Sequence, residues 1–266
     1  MKQDTDTEIE NKIHEDLSPT RNLTGFHLKI VTAIAITWSL FQLWYASPLP
    51  FLLDFGKFID VPARAIHLAF GMGLCFLAYP ALKSKRNSSI NTFDFFLALI
   101  SVLVTFYLVT EYEGLVYRQG ILASFDFFGL KIPYELIIGS IGILLLLEAT
   151  RRAIGIPLVA IALIFLLFSI FGQKMPDLIS HQGLSITRLV GYHWFGGEAI
   201  FGIPISVSVS FIFLFVLFGA TLDAAGGGKY FLNLAFALVG KMRGGPAKAA
   251  ILASGLTGLI SGSSVA

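Results

Sequence analysis

Three hydroxyls stand within four residues near the end of this chain: Ser261, Ser263 and Ser264, with Gly262 between the first two. They close a run, Lys241 to Ala266, that opens as a basic, Gly-Pro-marked turn. It continues as small and apolar residues carrying the pair Gly258-x-x-x-Gly262. Hydroxyl and carbonyl oxygens at the end of a short apolar helix suit a hard cation such as sodium, and the C-terminal end of a half-helix adds partial negative charge. Unwound backbone of this kind is tolerated at membrane depth only where protein or a cavity surrounds it. The same residues can instead serve helix packing, because small side chains let helices approach closely in lipid. Ser261, Gly262, Ser263 and Ser264 are the candidate sodium ligands, and no resident cofactor is expected.

Other chemistry is harder to find. Gly226-Gly227-Gly228-Lys229 fails the phosphate-loop spacing, because Asp223 occupies the first glycine position and Tyr230 follows the lysine. It reads as a flexible exit from a helix, with glycine just past the end. No H-E-x-x-H or G-x-S-x-G motif occurs, and the five histidines are scattered, so nothing points to an enzyme. His14 lies in a polar tail and reads as solvated. The single cysteine, Cys75, excludes an internal disulfide and reads as a small buried apolar residue. Ionisable residues at membrane depth default to function. His67 and Glu148 are the clearest. Glu148, however, precedes Arg151 and Arg152 by three and four residues, the spacing of an interfacial ion pair. His67 reads as a satisfied packing residue near an interface, and Asp94 as an acid favoured by a helix N-terminus.

The elements that must position these residues are apolar blocks. Hydrophobic residues make up 55% of the chain and charged ones 14%, far from the roughly one quarter charged of a water-soluble domain. A net charge of +2 gives no argument for nucleic acid. Residues 1–29 are polar, lack the pattern of a signal peptide, and read as a cytoplasmic tail. Six stretches are long enough to cross a membrane: about 28–47, 63–82, 93–110, 133–150, 153–172 and 203–223. The fourth is the weakest, because Glu135 and Glu148 trim its apolar centre. A seventh, 229–240, is too short to span and suits the interface. The eighth, 247–262, suits a re-entrant half-hairpin. With the N-terminus inside, thirteen of the nineteen Lys and Arg fall on the cytoplasmic side, as the positive-inside rule requires. Trp38, Trp44, Tyr45, Tyr192 and Trp194 fit the aromatic belts. Two external segments, 111–132 and 173–202, are long; the second has room for a short helix, and either can meet a soluble partner.

These residues resemble a known family. The string GGPAKAAILASGLTGLISGSSVA is similar to the first re-entrant hairpin of the membrane subunit of TRAP (tripartite ATP-independent periplasmic) transporters. Glu148-Ala149-Thr150-Arg151-Arg152-Ala153-Ile154-Gly155-Ile156-Pro157-Leu158 resembles a segment of the fused permeases, in which a small four-helix and a large twelve-helix subunit are joined. Phe201-Gly202-Ile203-Pro204 and the Phe-rich span ending Phe218-Gly219-Ala220 match the opening of the large domain. The resemblance covers roughly residues 30–266.

It implies an all-α integral membrane protein of elevator type: six transmembrane helices, an interfacial helix and a C-terminal re-entrant half-hairpin. It implies a cytoplasmic tail over 1–27, small-subunit-like helices over 28–152 and the start of a large permease domain over 153–266. It implies sodium-coupled uptake of organic acids such as C4-dicarboxylates across the bacterial inner membrane. The partners it implies are an extracytoplasmic solute-binding protein, of the TAXI type, and the membrane lipids. The family continues beyond the hairpin tip with further spans and a second hairpin, so the chain is expected to be truncated, lacking the C-terminal part of the permease. A non-transporting membrane scaffold or assembly subunit, or a degenerate fragment, is the alternative.

Overall fold

The computed structural model describes residues 20–58, 60–82, 89–118, 121–127 and 130–261. Helices dominate. In chain order they are α1 (Gly25–Ala46), the single turn α2 (Leu49–Leu52), α3 (Val61–Ala78), α4 (Thr92–Tyr117), α5 (Tyr134–Ala153), α6 (Ile156–Ile170), the short α7 (Ile186–Val190), α8 (Ile203–Val207), α9 (Phe213–Ala224), α10 (Gly227–Val239) and α11 (Gly245–Ser261). Between α4 and α5 sits a two-stranded antiparallel hairpin, β1 (Phe125–Phe127) and β2 (Leu130–Ile132), with Asp126 opposite Lys131. The chain is an all-α membrane protein in architecture.

Local signals set the helix boundaries. Asn91 caps α4, its side chain accepting from the Phe93 N–H, and Asp94 stands in the first turn. Pro62 and Pro157 lie in the first turns of α3 and α6, where their missing N–H costs nothing. α5 begins with Glu135 and ends with Arg151 and Arg152, complementing its dipole at both ends. Gly226, at φ +89°, follows the end of α9 and starts α10, the role expected of a glycine past a helix end. Gly155, at φ +121°, separates α5 from α6.

Among the described residues, four helices are long and apolar enough to cross a membrane: α1, α3, α4 and the continuous 22-residue run Ile203–Ala224. That run joins α8 to α9 through a π-helical turn, Ser208–Ile212. The other two expected spans form helices that fall short of this standard. α5 has 20 residues, but it carries Glu135, Glu148, Arg151 and Arg152. α6 is apolar apart from Ser169 but only 15 residues long. At 1.5 Å per residue it reaches about 22 Å, against a hydrocarbon core of about 30 Å. α10, with 13 residues, is too short to span.

The chain forms two compact units. One contains the residues up to Trp38 together with Phe58–Ile203, and the other contains Ser39–Lys57 and the chain from Pro204 onward. α3 is central to the first unit: half of its most apolar window is buried, against 6% for α1. Met72, Phe76, Val104, Leu108, Ile143 and Leu145 belong to its core. In the second unit, Ala235 of α10 packs with Ala249 and Ala253 of α11. Also in this unit, Gln42 of α1 is fully buried and donates its amide N–H to the Val209 carbonyl, 3.2 Å away, inside the π turn.

Candidate functional site

A largely buried ionic cluster ties the segment before α1 to three helices of the first unit. Asp94, in the first turn of α4, takes Arg21 on one oxygen and Arg152 on the other, the latter at 2.7 Å. Arg152 also donates to Glu148 at 2.8 Å, and Arg151 holds both oxygens of Glu148 at 2.7 and 2.8 Å. The pairing of Glu148 with both arginines follows from its spacing, as the sequence implied. The central role of Asp94 does not: there the helix dipole is joined by two guanidiniums from distant segments. The same guanidiniums cap α3. Arg21 donates to the Leu77 carbonyl at 2.9 Å and Arg152 to the Tyr79 carbonyl at 3.3 Å. These are carbonyls at a helix end, which have no partner within the helix. Arg152 further lies 5.0 Å over the Phe76 ring. Three guanidiniums and two carboxylates thus pair with each other and with backbone, an arrangement that locks helices together.

A second polar knot forms around the other end of α5. Glu135 is fully buried, and it accepts hydrogen bonds from the Tyr107 hydroxyl at 2.8 Å, from Arg118 at 2.6 Å and from the Ala123 N–H. Burial acts to lower the Arg118 pKa, but the charge and hydrogen bond of Glu135 outweigh it and hold the group above its ordinary value. In sequence Glu135 was only an interruption of an apolar run. Here it fastens the end of α4 and the segment before the β-hairpin to α5.

The segment 173–202 was expected to be an external loop with room for a short helix. The structure gives it α7 and a π-helical turn, Gly191–Phe195, and turns both inward. Trp194 is fully buried against Gly142, the ninth residue of α5 and so about 12 Å along that helix. A methyl group at Gly142 would lie 2.3 Å from the indole, and one at Gly139 would lie 2.5 Å from Val190. Trp194 therefore belongs to a helix-packing wedge and not to an interfacial belt. The signal that could have found it is the pair Gly139-x-x-Gly142, which leaves a notch in an otherwise bulky helix. His67 is a packing residue: buried in α3, it receives the Trp38 indole N–H at 3.2 Å. Cys75 is half-buried, with its thiol 3.4 Å from the Ala149 carbonyl. Among the described residues, no three His, Cys, Asp or Glu side chains converge in a way that could hold a metal ion.

The candidate sodium ligands sit at the limit of what the structure describes. α11 is a 17-residue helix whose last residue is Ser261. Gly262, Ser263 and Ser264 lie outside the described residues. The small residues leading to them divide into two sets. Ala249 and Ala253 are buried against α10, whereas a methyl group added at Gly255 or Gly258 would meet nothing within 4 Å. The packing within this unit therefore uses the alanines of α11, and the face carrying Gly255 and Gly258 is open among the described residues.

Residues 141–266, a little under half of the chain, match the family model described as tripartite ATP-independent periplasmic transporter, DctM component. That part of the chain is similar to the membrane component of TRAP transporters. The match takes in α6, the 203–224 span and the whole of α11, and it begins within α5. No curated protein and no solved structure matches the chain.

Proposed function

We propose that this chain, from the family to which residues 141–266 are matched, provides membrane permease structure for a TRAP transporter that imports organic acids such as C4-dicarboxylates with sodium. The observation that carries the reading is the family match over the stretch that ends in α11 and the Ser261–Ser264 cluster. In this reading the protein is multi-pass in the bacterial inner membrane with its N-terminus in the cytoplasm. A soluble extracytoplasmic binding protein, of the TAXI type for a fused permease, hands over the solute. The small-subunit-like helices run to residue 152, and the large permease domain starts at 153. The Arg21–Asp94–Arg152–Glu148–Arg151 cluster supports a bracing role for the first part, since its ion pairs join helices and leave no carboxylate without a cation. Oxygen ligands at Ser261, Gly262, Ser263 and Ser264 would hold the coupling ion where a short helix breaks.

The test is uptake by the permease containing these residues, reconstituted in vesicles with its binding protein and a labelled dicarboxylate. Accumulation should require an inward sodium gradient and the binding protein together. Uptake that persists when potassium replaces sodium would reject the coupling. Absence of uptake with intact assembly of partner subunits would favour a scaffold instead.

A further inference from the structure

A cavity of about 360 Å³ lies in the first unit. One face of α5 between Ile143 and Thr150 and one face of α6 between Leu158 and Ser169 form its walls, and His193 and Ile200 complete them. Its volume is that of a small-molecule site. Its chemistry is not that of a site for an organic acid. Three polar residues line it, and the hydrogen-bond donors of all three are already engaged by backbone. The Thr150 hydroxyl donates to the Leu146 carbonyl at 2.8 Å, and the Ser169 hydroxyl to the Phe165 carbonyl at 2.9 Å. The His193 Nδ1 lies 2.9 Å from the Leu189 carbonyl, an acceptor, so that nitrogen carries the proton. The lining residues include no Lys or Arg. A carboxylate here would lose its hydration with no Lys or Arg to meet it, and only a proton on the His193 Nε2 would supply a donor.

Hydrocarbon meets no such penalty. α6 fully buries none of its residues, and Ile161, Ile164 and Phe165 are exposed along it, so the cavity adjoins an apolar surface that water solvates poorly and hydrocarbon solvates well. Its length is informative as well. From Leu158 to Ser169 the helix rises about 16 Å. One leaflet of a hydrocarbon core is about 15 Å thick. We propose that this α5–α6 cavity is a phospholipid site that holds one acyl chain, running alongside α6 through a single leaflet. The proposal does not depend on the transport reading, since it needs only that the chain lie in a bilayer.

The test uses the full chain in lipid nanodiscs doped with a phosphatidylcholine bearing a photoactivatable diazirine on one acyl chain, with adducts mapped by peptide mass spectrometry. Adducts should appear on the peptides holding Leu146 and Phe165, saturate with probe, and fall when unlabelled phospholipid is added. Ala162→Phe, which fills the cavity from α6, should abolish them while leaving adducts at Ile36 and Leu40 of α1 unchanged. Ile200→Phe fills the space from another wall and should do the same, so a folding defect in one variant does not decide the matter. The α1 adducts and a monodisperse elution profile report that each variant is folded. Labelling of the cavity peptides that never saturates and survives both variants would show ordinary boundary lipid and overturn the proposal. Absence of cavity adducts would show a protein cover in place of lipid, with the same consequence. Protection by succinate would make the cavity a carboxylate site and refute the argument from its missing donors.

Discussion

Replacing Asp94 by alanine removes the carboxylate shared by two buried guanidiniums, whose side chains are 4% and 1% exposed. Removing one partner of a buried ion pair costs about 3–5 kcal/mol, mostly because the charge left behind is uncompensated. Here the lower end applies. Arg152 keeps Glu148 and the Tyr79 carbonyl, and Arg21 keeps the Leu77 carbonyl. For a chain of this size, about 3 kcal/mol corresponds to a Tm lowered by roughly 6–12 °C. The protein carries its own reporter: Cys75 is the single cysteine, half-buried in α3 beside Ala149. A fluorogenic maleimide in detergent will read its exposure during a thermal ramp. Asp94→Ala should melt early, whereas the triple change Arg21→Met, Asp94→Leu, Arg152→Met should recover at least half of the loss, because no charge is then stranded. A shift of less than about 2 °C for Asp94→Ala would refute the reasoning, since a buried carboxylate between two arginines cannot be removed at so little cost.

Further predictions follow from the other sites. Gly142→Ala places a methyl group 2.3 Å from the Trp194 indole. It should cost about 1–3 kcal/mol by overpacking and move the Trp194 fluorescence in a Trp38→Phe, Trp44→Phe background; an unchanged spectrum and melting temperature would mean that the wedge yields freely. For topology, in a Cys75→Ala background a cysteine at Ser84 should resist an impermeant external maleimide and one at Ser124 should react; the reverse pattern would invert the orientation. In the transport assay, Ser263→Ala or Ser264→Ala should raise the sodium concentration for half-maximal uptake by about tenfold to a hundredfold, as expected for the loss of about 1–3 kcal/mol from one vacant ligand. Wild-type sodium dependence in both would assign the cluster to helix packing.

The sequence by itself determined the class of the protein and the features that act over one or two helical turns. Apolar blocks set an all-α membrane architecture, because a backbone in hydrocarbon must satisfy its own hydrogen bonds and a helix does so locally. The spacing of Glu148 from Arg151 and Arg152 gave their ion pairs, and Gly226 gave the break after α9, since both rest on neighbours three or four residues away. The terminal hydroxyl run was legible as a family resemblance, and the match over 141–266 agrees with it. Only tertiary structure decided who pairs with whom over long distances. Asp94 meets Arg21 and Arg152, 73 and 58 residues away in sequence, and Glu135 meets Tyr107 and Arg118 from α4 and its end. Trp194 enters the notch at Gly142, and the donors lining the α5–α6 cavity turn back onto their own backbone. Composition states that a charge or an indole inside a membrane needs a partner. Which partner it finds depends on which helix faces close against each other, and that is a property of the packed chain and not of any segment of it.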